Sequence, residues 1–486
     1  MNRSLHQLFI AVVALFLVLV VSTSSFMVFR ADELNADARN TRALYHEFAV
    51  PRGAITASDG TILAQSVPSK DAFQYQRQYP QPELYAPITG YFSVVSRAGK
   101  GIESSENSVL TGETDSLWLQ KLKSAFTGQA NQGATIETSI NTKLQNLAYQ
   151  SLQGKTGAVV ALEPSTGRIL AMASTPSYNP NDLATHDTKA AAENYSNLAG
   201  VQPSPLNNNA MLQVGAPGSM FKIIVSAAAF ESGEYNPDSV IPAPLEWTLP
   251  GTNYKLTNAE TWMYRADGQM PMREAFAWSS NTAFAQLGVK LGYNKVNEIA
   301  TKLGFGTQIS VDRGPGSNAY QSVKSLFPKP ASDDKLALQS IGQGDTVATP
   351  LQMAMVSAAV ANSGTLMRPT LVDTVRSSDL SVISQTSPSI LSHPFSSDTA
   401  SKLNEMMQGV ITTAWTALQI PGVKVAAKTG TAQSGTRNQF VSGWITGFAP
   451  ADNPKIAVCV WLQDIPSLAG DTSGPIMKSL MEAYLK

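Results

Sequence analysis

The sequence predicts an α+β fold in which an antiparallel sheet lies beside a cluster of helices. Two strand patterns, at 158–162 and 168–173, flank a turn signal, and three more close the chain at 423–432, 440–449 and 455–462. Helical stretches rich in small residues lie between these two groups, up to about residue 365. Separate runs of strands and helices are typical of an α+β domain.

The N-terminus carries an uninterrupted apolar segment. Residues 8–21 are all apolar, and residues 22–29 continue without a charge, which gives 22 uncharged residues. A bilayer span needs about 20. Arg3 before the segment and Asp32 after it favour a short cytoplasmic tail. We therefore expect a single-pass plasma-membrane protein whose remaining chain is extracytoplasmic; a cleaved signal peptide is the alternative and exports the chain equally.

The segment that follows the apolar stretch is polar and rich in loops. Turn signals occur at 51–53, 58–60 and 111–112, and helical patterning is sparse. This pattern predicts an extended stalk or pedestal. At 486 residues and 51.8 kDa the chain exceeds one typical domain. The predicted division is a tail and anchor at 1–30, a pedestal domain at 31–150 and a larger globular domain at 151–486.

The globular domain is expected to open with a β-hairpin. The turn signal at 164–167 separates its two strand patterns. The 35 residues that follow are rich in Asn, Ser and Pro and predict a long surface excursion. The last twelve residues, 475–486, are expected to pack as a final helix.

Composition excludes several classes of protein. Apolar residues make up 43% of the chain and charged residues 15%, which argues against general disorder. The 35 Lys and Arg residues balance 36 Asp and Glu residues, for a net charge of −1. Because no basic tract would neutralise a phosphate backbone, we expect no nucleic-acid partner.

The cysteine and histidine content gives little support for a metal centre. The single cysteine excludes an intramolecular disulfide and a cysteine-based zinc site. We expect Cys459 to be buried and inert, because it lies in an apolar run. The histidines are far apart, without the spacing of zinc ligands: His6, His46, His186 and His393.

Three clusters in the globular domain carry candidate chemistry, and the first lies at 215–222. Pro and Gly residues precede a helix that is apolar nearly all round, so Lys222 is expected to be buried at a cost. Ser219 lies three residues earlier, on the same face. A desolvated lysine with a lowered pKa can take the proton of a serine nucleophile. An N-cap serine beside a lysine that reaches solvent is the alternative.

The second cluster, 278–281, is expected in a turn between two helices. Ser279 is a candidate to relay a proton to a leaving group, and Asn281 to hold a substrate amide. An ordinary helix cap is the alternative for both residues.

The third cluster is a Lys-Thr-Gly-Thr sequence at the end of a strand of small apolar residues. Lys428 offers a cation for a carboxylate, and Thr429 offers a hydroxyl. Gly430 would let a substrate backbone approach the strand edge. The N–H near Thr431 is a candidate to complete an oxyanion hole with the N–H of Ser219. A plain exposed strand end is the alternative.

The three motifs occur in one predicted domain, spaced by 60 and then 149 residues. This arrangement resembles the penicillin-binding protein and serine β-lactamase superfamily, which carries the same set. The resemblance covers most of the chain and is to class B penicillin-binding proteins, in particular an actinobacterial type. Its further landmarks are a pedestal signature at 52–64, an approach segment at 135–145, and core segments at 157–174, 342–344, 349–352 and 444–450.

The resemblance implies a D,D-transpeptidase of peptidoglycan that acts in cell-wall synthesis and cell division. Such an enzyme attacks the carbonyl before a terminal D-Ala, releases that residue and passes the acyl group to an amine on a neighbouring stem peptide. β-Lactams imitate the D-Ala-D-Ala end and acylate the serine. No metal or organic cofactor is implied. The implied partners are peptidoglycan stem peptides, the plasma membrane, a separate glycosyltransferase and divisome proteins.

Two groups of site residues follow when the motifs are matched residue by residue. The resemblance makes Ser219 the nucleophile and Lys222 its base. It makes Ser279 and Asn281 the relay and the substrate holder. The substrate-binding group lies on one strand and would hold the carboxylate and the oxyanion: Lys428, Thr429, Gly430 and Thr431.

Two departures from the family pattern bear on substrate geometry rather than on the reaction. The segment 58–60 lacks the arginine common before the glycine of the pedestal signature. Gly443 stands where relatives often carry a larger residue before the tryptophan.

Three alternative functions remain open at this point. A fused glycosyltransferase would need more residues before position 150 than the loop-rich segment supplies. A β-lactam-hydrolysing or β-lactam-sensing relative would share Ser219 and Lys222, and differs in how long its acyl-enzyme survives. A non-catalytic cell-wall scaffold would form no covalent adduct with penicillin.

Overall fold

The computed structural model of the protein describes residues 3–29, 45, 48–114, 132–258, 267–312, 319–434 and 440–486. Two residues named in the sequence analysis fall outside these ranges, namely His46 and Asp32, the acidic residue that follows the apolar segment.

The helices are numbered along the chain. In the N-terminal part they are α1 (Arg3–Phe29), α2 (Pro82–Thr89), α3 (Gly101–Ser105), α4 (Asn107–Leu110) and α5 (Thr142–Ser151). The central ones are α6 (Asn181–Ala184), α7 (Thr188–Gly200), α8 (Asn209–Leu212), α9 (Lys222–Glu231), α10 (Met272–Ala277), α11 (Asn281–Leu291), α12 (Tyr293–Lys302), α13 (Asp333–Ser340) and α14 (Pro350–Ala361). The chain ends with α15 (Ser397–Gly409), α16 (Ala469–Thr472) and α17 (Gly474–Leu485).

The strands are numbered in the same way. Those before residue 180 are β1 (Ile55–Thr56), β2 (Ile62–Pro68), β3 (Tyr75–Gln78), β4 (Phe92–Ser93), β5 (Arg97–Ala98), β6 (Thr135–Thr138), β7 (Gly157–Leu162) and β8 (Ile169–Thr175). Short central strands are β9 (Val240–Pro242), β10 (Glu246–Thr248), β11 (Lys255–Thr257), β12 (Gln269–Pro271) and β13 (Leu366–Met367). The later ones are β14 (Val372–Arg376), β15 (Val382–Gln385), β16 (Ile390–Ser392), β17 (Ala426–Ser434), β18 (Phe440–Ala449) and β19 (Ile456–Leu462).

The N-terminal helix α1 has the length and composition of a membrane span. An 18-residue window within its segment Arg3–Ser25 has a mean hydropathy of 2.6, and the side chains of this segment are exposed. The predicted apolar helix is therefore confirmed. Its orientation across a bilayer stays a prediction.

The main sheet has five antiparallel strands in the order β17-β18-β19-β7-β8. The predicted hairpin of β7 and β8, the three closing strands and the final helix are all confirmed. Every residue of β19 is buried, including Cys459, because both faces of the sheet are covered. Helix α14 packs against one face, and helices α5 and α17 pack against the other.

A second sheet includes four strands of the pedestal and has the order β15-β14-β6-β1-β2-β3. Strands β14 and β15 come from far along the chain and pair next to β6. The domain boundaries given above stay a prediction, although later residues complete this sheet.

The predicted turn at 51–53 is wrong. The backbone there is neither a turn nor a bend, and the N–H of Gly53 donates to the carbonyl of Leu110 at 2.9 Å. A Cβ at Gly53 would lie 1.9 Å from the carbonyl oxygen of Ala134. The glycine is therefore needed for close packing of two chain segments.

Arg52 belongs to a buried ionic network that holds the pedestal together. Its Nε donates to Glu103 Oε2 at 2.5 Å, and Arg77 Nε donates to Glu103 Oε1 at 2.6 Å. All three side chains are almost fully buried. The two guanidinium groups hold the pKa of Glu103 below its usual value despite the opposing effect of burial, which is the larger single contribution.

Candidate active site

The first motif forms a tight turn before a buried helix. Residues Gly218–Phe221 form a 3₁₀ turn that leads directly into α9, in which all residues except the last are buried. Gly218 has φ +55°, and a Cβ there would lie 2.8 Å from the carbonyl oxygen of Thr431. Its N–H donates to the carbonyl of Gly342 at 2.9 Å. These contacts place the turn that carries Ser219 directly against the strand β17.

Lys222 is fully buried at the centre of the site. Its Nζ lies 2.9 Å from Ser219 Oγ, 2.7 Å from the carbonyl oxygen of Ser279 and 2.9 Å from Asn281 Oδ1. Burial, and secondly the charge of Lys428, hold the pKa of Lys222 well below its usual value. The sequence prediction of a buried lysine within reach of the serine is thus confirmed.

The neighbours of Lys222 suit a neutral amine. A neutral amine has two N–H groups and one lone pair. The carbonyl of Ser279 and Oδ1 of Asn281 can only accept, so they take the two N–H groups. In the neutral form, the lone pair is left for the Ser219 hydroxyl, which carries a proton and lies 2.9 Å away. This is the arrangement of a general base beside a nucleophile.

The second motif lies in the predicted turn between two helices, α10 and α11. Ser279 has φ +62°, a left-handed conformation that is unusual for a residue with a side chain. Ser280 caps α11, since its Oγ accepts from the N–H of Ala283 at 3.3 Å. Ser279 and Asn281 are partly exposed. The sharp turn directs both Ser279 and Asn281 towards Lys222.

Lys428 closes the site from the edge strand β17. It is fully buried, and its Nζ donates to Ser279 Oγ at 2.9 Å and to the carbonyl of Thr429 at 3.1 Å. Burial lowers the pKa of Lys428 to about 7. Ser279 Oγ also lies 3.3 Å from Lys222 Nζ, so one hydroxyl bridges the two lysines.

Gly430 has a structural explanation that differs from the predicted one. A Cβ at this position would lie 2.3 Å from the carbonyl oxygen of Pro217 and 3.1 Å from Met220 Cγ. The glycine is therefore required for packing of β17 against the nucleophile turn. Its proposed contact with a substrate backbone stays a prediction.

The fold brings the predicted site residues to one place. Hydrogen bonds link five of them in a continuous network: Ser219, Lys222, Ser279, Asn281 and Lys428. The remaining three, Thr429, Gly430 and Thr431, follow Lys428 on the same strand. Within the described ranges, no three His, Cys, Asp or Glu side chains are grouped as metal ligands.

The structure adds neighbours that sequence reasoning missed. Lys222 Nζ lies 5.7 Å from the centre of the Phe284 ring. Lys428 Nζ lies 5.6 Å from the centre of the Phe276 ring. Both phenylalanines lie close to the Ser279 motif in sequence, one on each side, so their positions could have predicted an apolar surrounding for the two lysines. Asn258 also contacts the start of α11, and no sequence pattern marks it.

The departure at Gly443 also has a local cause. A Cβ there would lie 2.6 Å from Ile465 Cδ1 and 3.2 Å from Ser473 Oγ. A larger residue would require the segment around Ile465 to shift. The glycine therefore permits the close packing of Ile465 against β18.

Comparison with known proteins identifies the same two regions. Residues 157–482 match the penicillin binding protein transpeptidase domain, and residues 52–136 match the penicillin binding protein A dimerisation domain. The peptidoglycan D,D-transpeptidases PbpA of Mycolicibacterium smegmatis and of Mycobacterium tuberculosis are each 37% identical over 497 aligned positions. Each alignment covers 100% of this chain and 99% of the relative.

A solved structure agrees with these matches. Penicillin-binding protein A from M. tuberculosis, in its ceftriaxone acyl-enzyme complex, superposes with a TM-score of 0.85 at 36% identity. The match covers 91% of this chain and 100% of that one. The resemblance inferred from the motifs is confirmed, including its narrower form, the actinobacterial PbpA type.

Proposed function

The chain belongs to the penicillin-binding protein family, and on that basis we propose that it is a D,D-transpeptidase that cross-links peptidoglycan stem peptides through a serine acyl-enzyme. The observation that carries this proposal is the 2.9 Å contact between Ser219 Oγ and the fully buried Nζ of Lys222. A serine needs a base to become a nucleophile, and this amine, whose pKa is held well below its usual value by burial, can serve as one.

The acylation step uses this pair first. Ser219 Oγ forms a bond to the carbonyl carbon before the terminal D-Ala, and its proton passes to Lys222 Nζ. The negative charge that develops on the carbonyl oxygen is stabilised by the N–H groups of Ser219 and Thr431. The adjacency of Gly218 and Thr431 supports this pairing.

Collapse of the intermediate breaks the bond to the D-Ala nitrogen. Ser279 Oγ lies between Lys222 and Lys428, so it can pass the proton from Lys222 to the leaving amine. The amine of a neighbouring stem peptide then attacks the ester. It loses its proton along the same route, and Ser219 is regenerated.

Three further residues would hold the substrate. Protonated Lys428 would attract the terminal carboxylate, with the hydroxyl of Thr429 beside it. Asn281 Nδ2 carries two N–H groups, one of which donates to the carbonyl of Thr257 at 3.3 Å. The other can donate to a carbonyl of the stem peptide.

The remainder of the chain would place this site outside the cytoplasm. We propose that residues 1–30 anchor the protein in the plasma membrane, that 31–150 form the pedestal and that 151–486 form the transpeptidase domain. The family matches at 52–136 and 157–482 support this division. The pedestal is not proposed to polymerise glycan strands. A separate glycosyltransferase would therefore supply the strands, and divisome proteins would be further partners.

The transpeptidase proposal is tested by supplying a donor peptide that ends in D-Ala-D-Ala together with an acceptor amine. We expect release of D-Ala and formation of the cross-linked product in equal amounts, and neither with Ser219→Ala. A β-lactamase or a β-lactam sensor would form no cross-linked product. The lifetime of the penicillin adduct separates these two, since rapid turnover indicates a hydrolase. A scaffold would form no adduct.

A further inference from the structure

Asn258 lies immediately after β11, against the N-terminus of α11. Its Oδ1 accepts from the backbone N–H of Asn281 at 2.7 Å, from that of Thr282 at 3.2 Å and from Ser280 Oγ at 3.2 Å. A backbone N–H can only donate, so the amide oxygen of Asn258 must face the helix. The first N–H groups of a helix have no partner within it. Asn258 therefore caps α11 from 23 residues upstream, in addition to the local cap of Ser280.

The preceding residue, Thr257, fixes the side chain of Asn281. Its carbonyl oxygen accepts from Asn281 Nδ2 at 3.3 Å. Because a carbonyl cannot donate, this contact determines which end of the Asn281 amide faces which way. The oxygen, Oδ1, is left pointing at Lys222 Nζ, 2.9 Å away. The reversed amide would place N–H groups against the N–H groups of the lysine.

We propose that Thr257 and Asn258 are positioning residues for the acylation step. They hold the backbone and the side chain of Asn281 in the orientation that keeps one N–H of Lys222 occupied and its lone pair directed at Ser219. They act through Asn281 and touch neither the substrate nor the reacting atoms. This inference rests on the proposed acylation of Ser219.

Two substitutions of Asn258 separate positioning from ordinary stability. Asn258→Ala leaves two backbone N–H groups without their acceptor and releases the first turn of α11. We expect acylation by penicillin to slow about five- to tenfold, the equivalent of one or two lost hydrogen bonds. Asn258→Asp retains the acceptor but adds a negative charge next to Asn281. An added negative charge favours a protonated lysine, so the acidic limb of the rate profile should move to higher pH.

The experiment measures the acylation rate with a fluorescent penicillin across pH for the full-length protein and its variants. Asn141→Ala is the matched control. Asn141 caps α5, since its Oδ1 accepts from the N–H of Leu144 at 3.0 Å, and α5 packs against β8 and α17. This variant should lose a comparable cap and keep the wild-type rate and pH profile.

The proposal is upheld if Asn258→Ala is slower than the control at equal thermal stability, and if Asn258→Asp approaches the wild-type rate only at higher pH. It is overturned if both variants follow the wild-type profile, or if Asn258→Ala slows no more than the control. Should Asn258→Ala fail to fold, the pH limb of Asn258→Asp decides alone. A wild-type protein that is not acylated at Ser219 would instead remove the proposed function itself.

Discussion

Lys222 Nζ and Ser219 Oγ lie 2.9 Å apart, and the lysine side chain has no solvent-exposed surface. Burial of an amine is unfavourable in its charged form, so the fold itself favours the neutral lysine. The amine that is costly to bury is thus the group able to take the serine proton. Lys222 is the first residue of α9, three positions after Ser219, which brings its amine within contact of the serine hydroxyl. Burial of that amine lowers its pKa.

Removal of the base should abolish acylation. Lys222→Met keeps most of the side-chain volume but leaves Ser219 without a proton acceptor. We expect the rate of penicillin acylation to fall by at least about a hundredfold. The measurement is covalent labelling over time, with circular dichroism to show that the fold is intact. Lys100→Met is the control, since Lys100 is a partly buried lysine that contacts the carbonyl of Leu206 rather than a site residue. Normal labelling of Lys222→Met would refute the assigned role.

The rate of acylation should depend on pH through both lysines. As pH falls through the lowered pKa of Lys222, the base becomes protonated and kcat/KM should decrease. As pH rises through about 7, Lys428 loses its proton and the penicillin carboxylate loses its cation. A penicillin esterified at that carboxylate should therefore show the acidic limb without the alkaline one. An identical alkaline limb for the ester would contradict the role given to Lys428.

Lys428 should make stability depend on pH. Its folded pKa of about 7 lies below the usual 10.5, so unfolding takes up a proton between these values. The free energy of unfolding should then rise with pH across this window, by about 1.4 kcal/mol per pH unit for one group. Lys428→Met should be more stable than wild type near pH 7. In urea titrations it should lose the share of the slope that Lys428 contributes, while the share from Lys222, whose pKa is also lowered, remains. Lys302→Met, at an exposed lysine, is the control and should keep the full wild-type slope; the idea fails if Lys428→Met keeps the full slope too.

The pedestal network predicts a large loss of stability from one small change. Glu103→Gln removes the only counter-charge seen between the buried guanidinium groups of Arg52 and Arg77 in the described pedestal. We expect the free energy of unfolding to drop by about 3–5 kcal/mol, measured by urea denaturation. Glu298→Gln, in an exposed pair with Lys302, should change it by less than about 1 kcal/mol. Equal effects of the two substitutions would count against a structural role for the network.

The sequence predicted the site well because each motif is a local pattern. Gly and Pro before Ser219 indicated the start of a helix, and the apolar residues after Lys222 indicated its burial. The turn at Ser279 was likewise visible between two helical stretches. Only the order and spacing of the motifs indicated that they form one site. The second motif follows the first by 60 residues and the third follows the second by 149, and no local pattern predicts that such distant residues are in contact.

The pedestal and the supporting contacts were less predictable because they depend on distant pairings. Strands β14 and β15 complete the pedestal sheet from the part of the chain between the second and third motifs, and no periodicity within 51–150 reveals them. Arg52 looked like part of a turn, since its ionic partners Glu103 and Arg77 lie far along the chain. Asn258 carries no signal of its own, because its function depends on the place where α11 begins.

Mass spectrometry of the intact protein after reaction with penicillin tests the central claim most directly. The proposed mechanism predicts a mass increase of one penicillin per chain, located on the peptide that contains Ser219 and absent from Ser219→Ala. An adduct on any other residue, or a Ser219→Ala variant that is still modified, would contradict it.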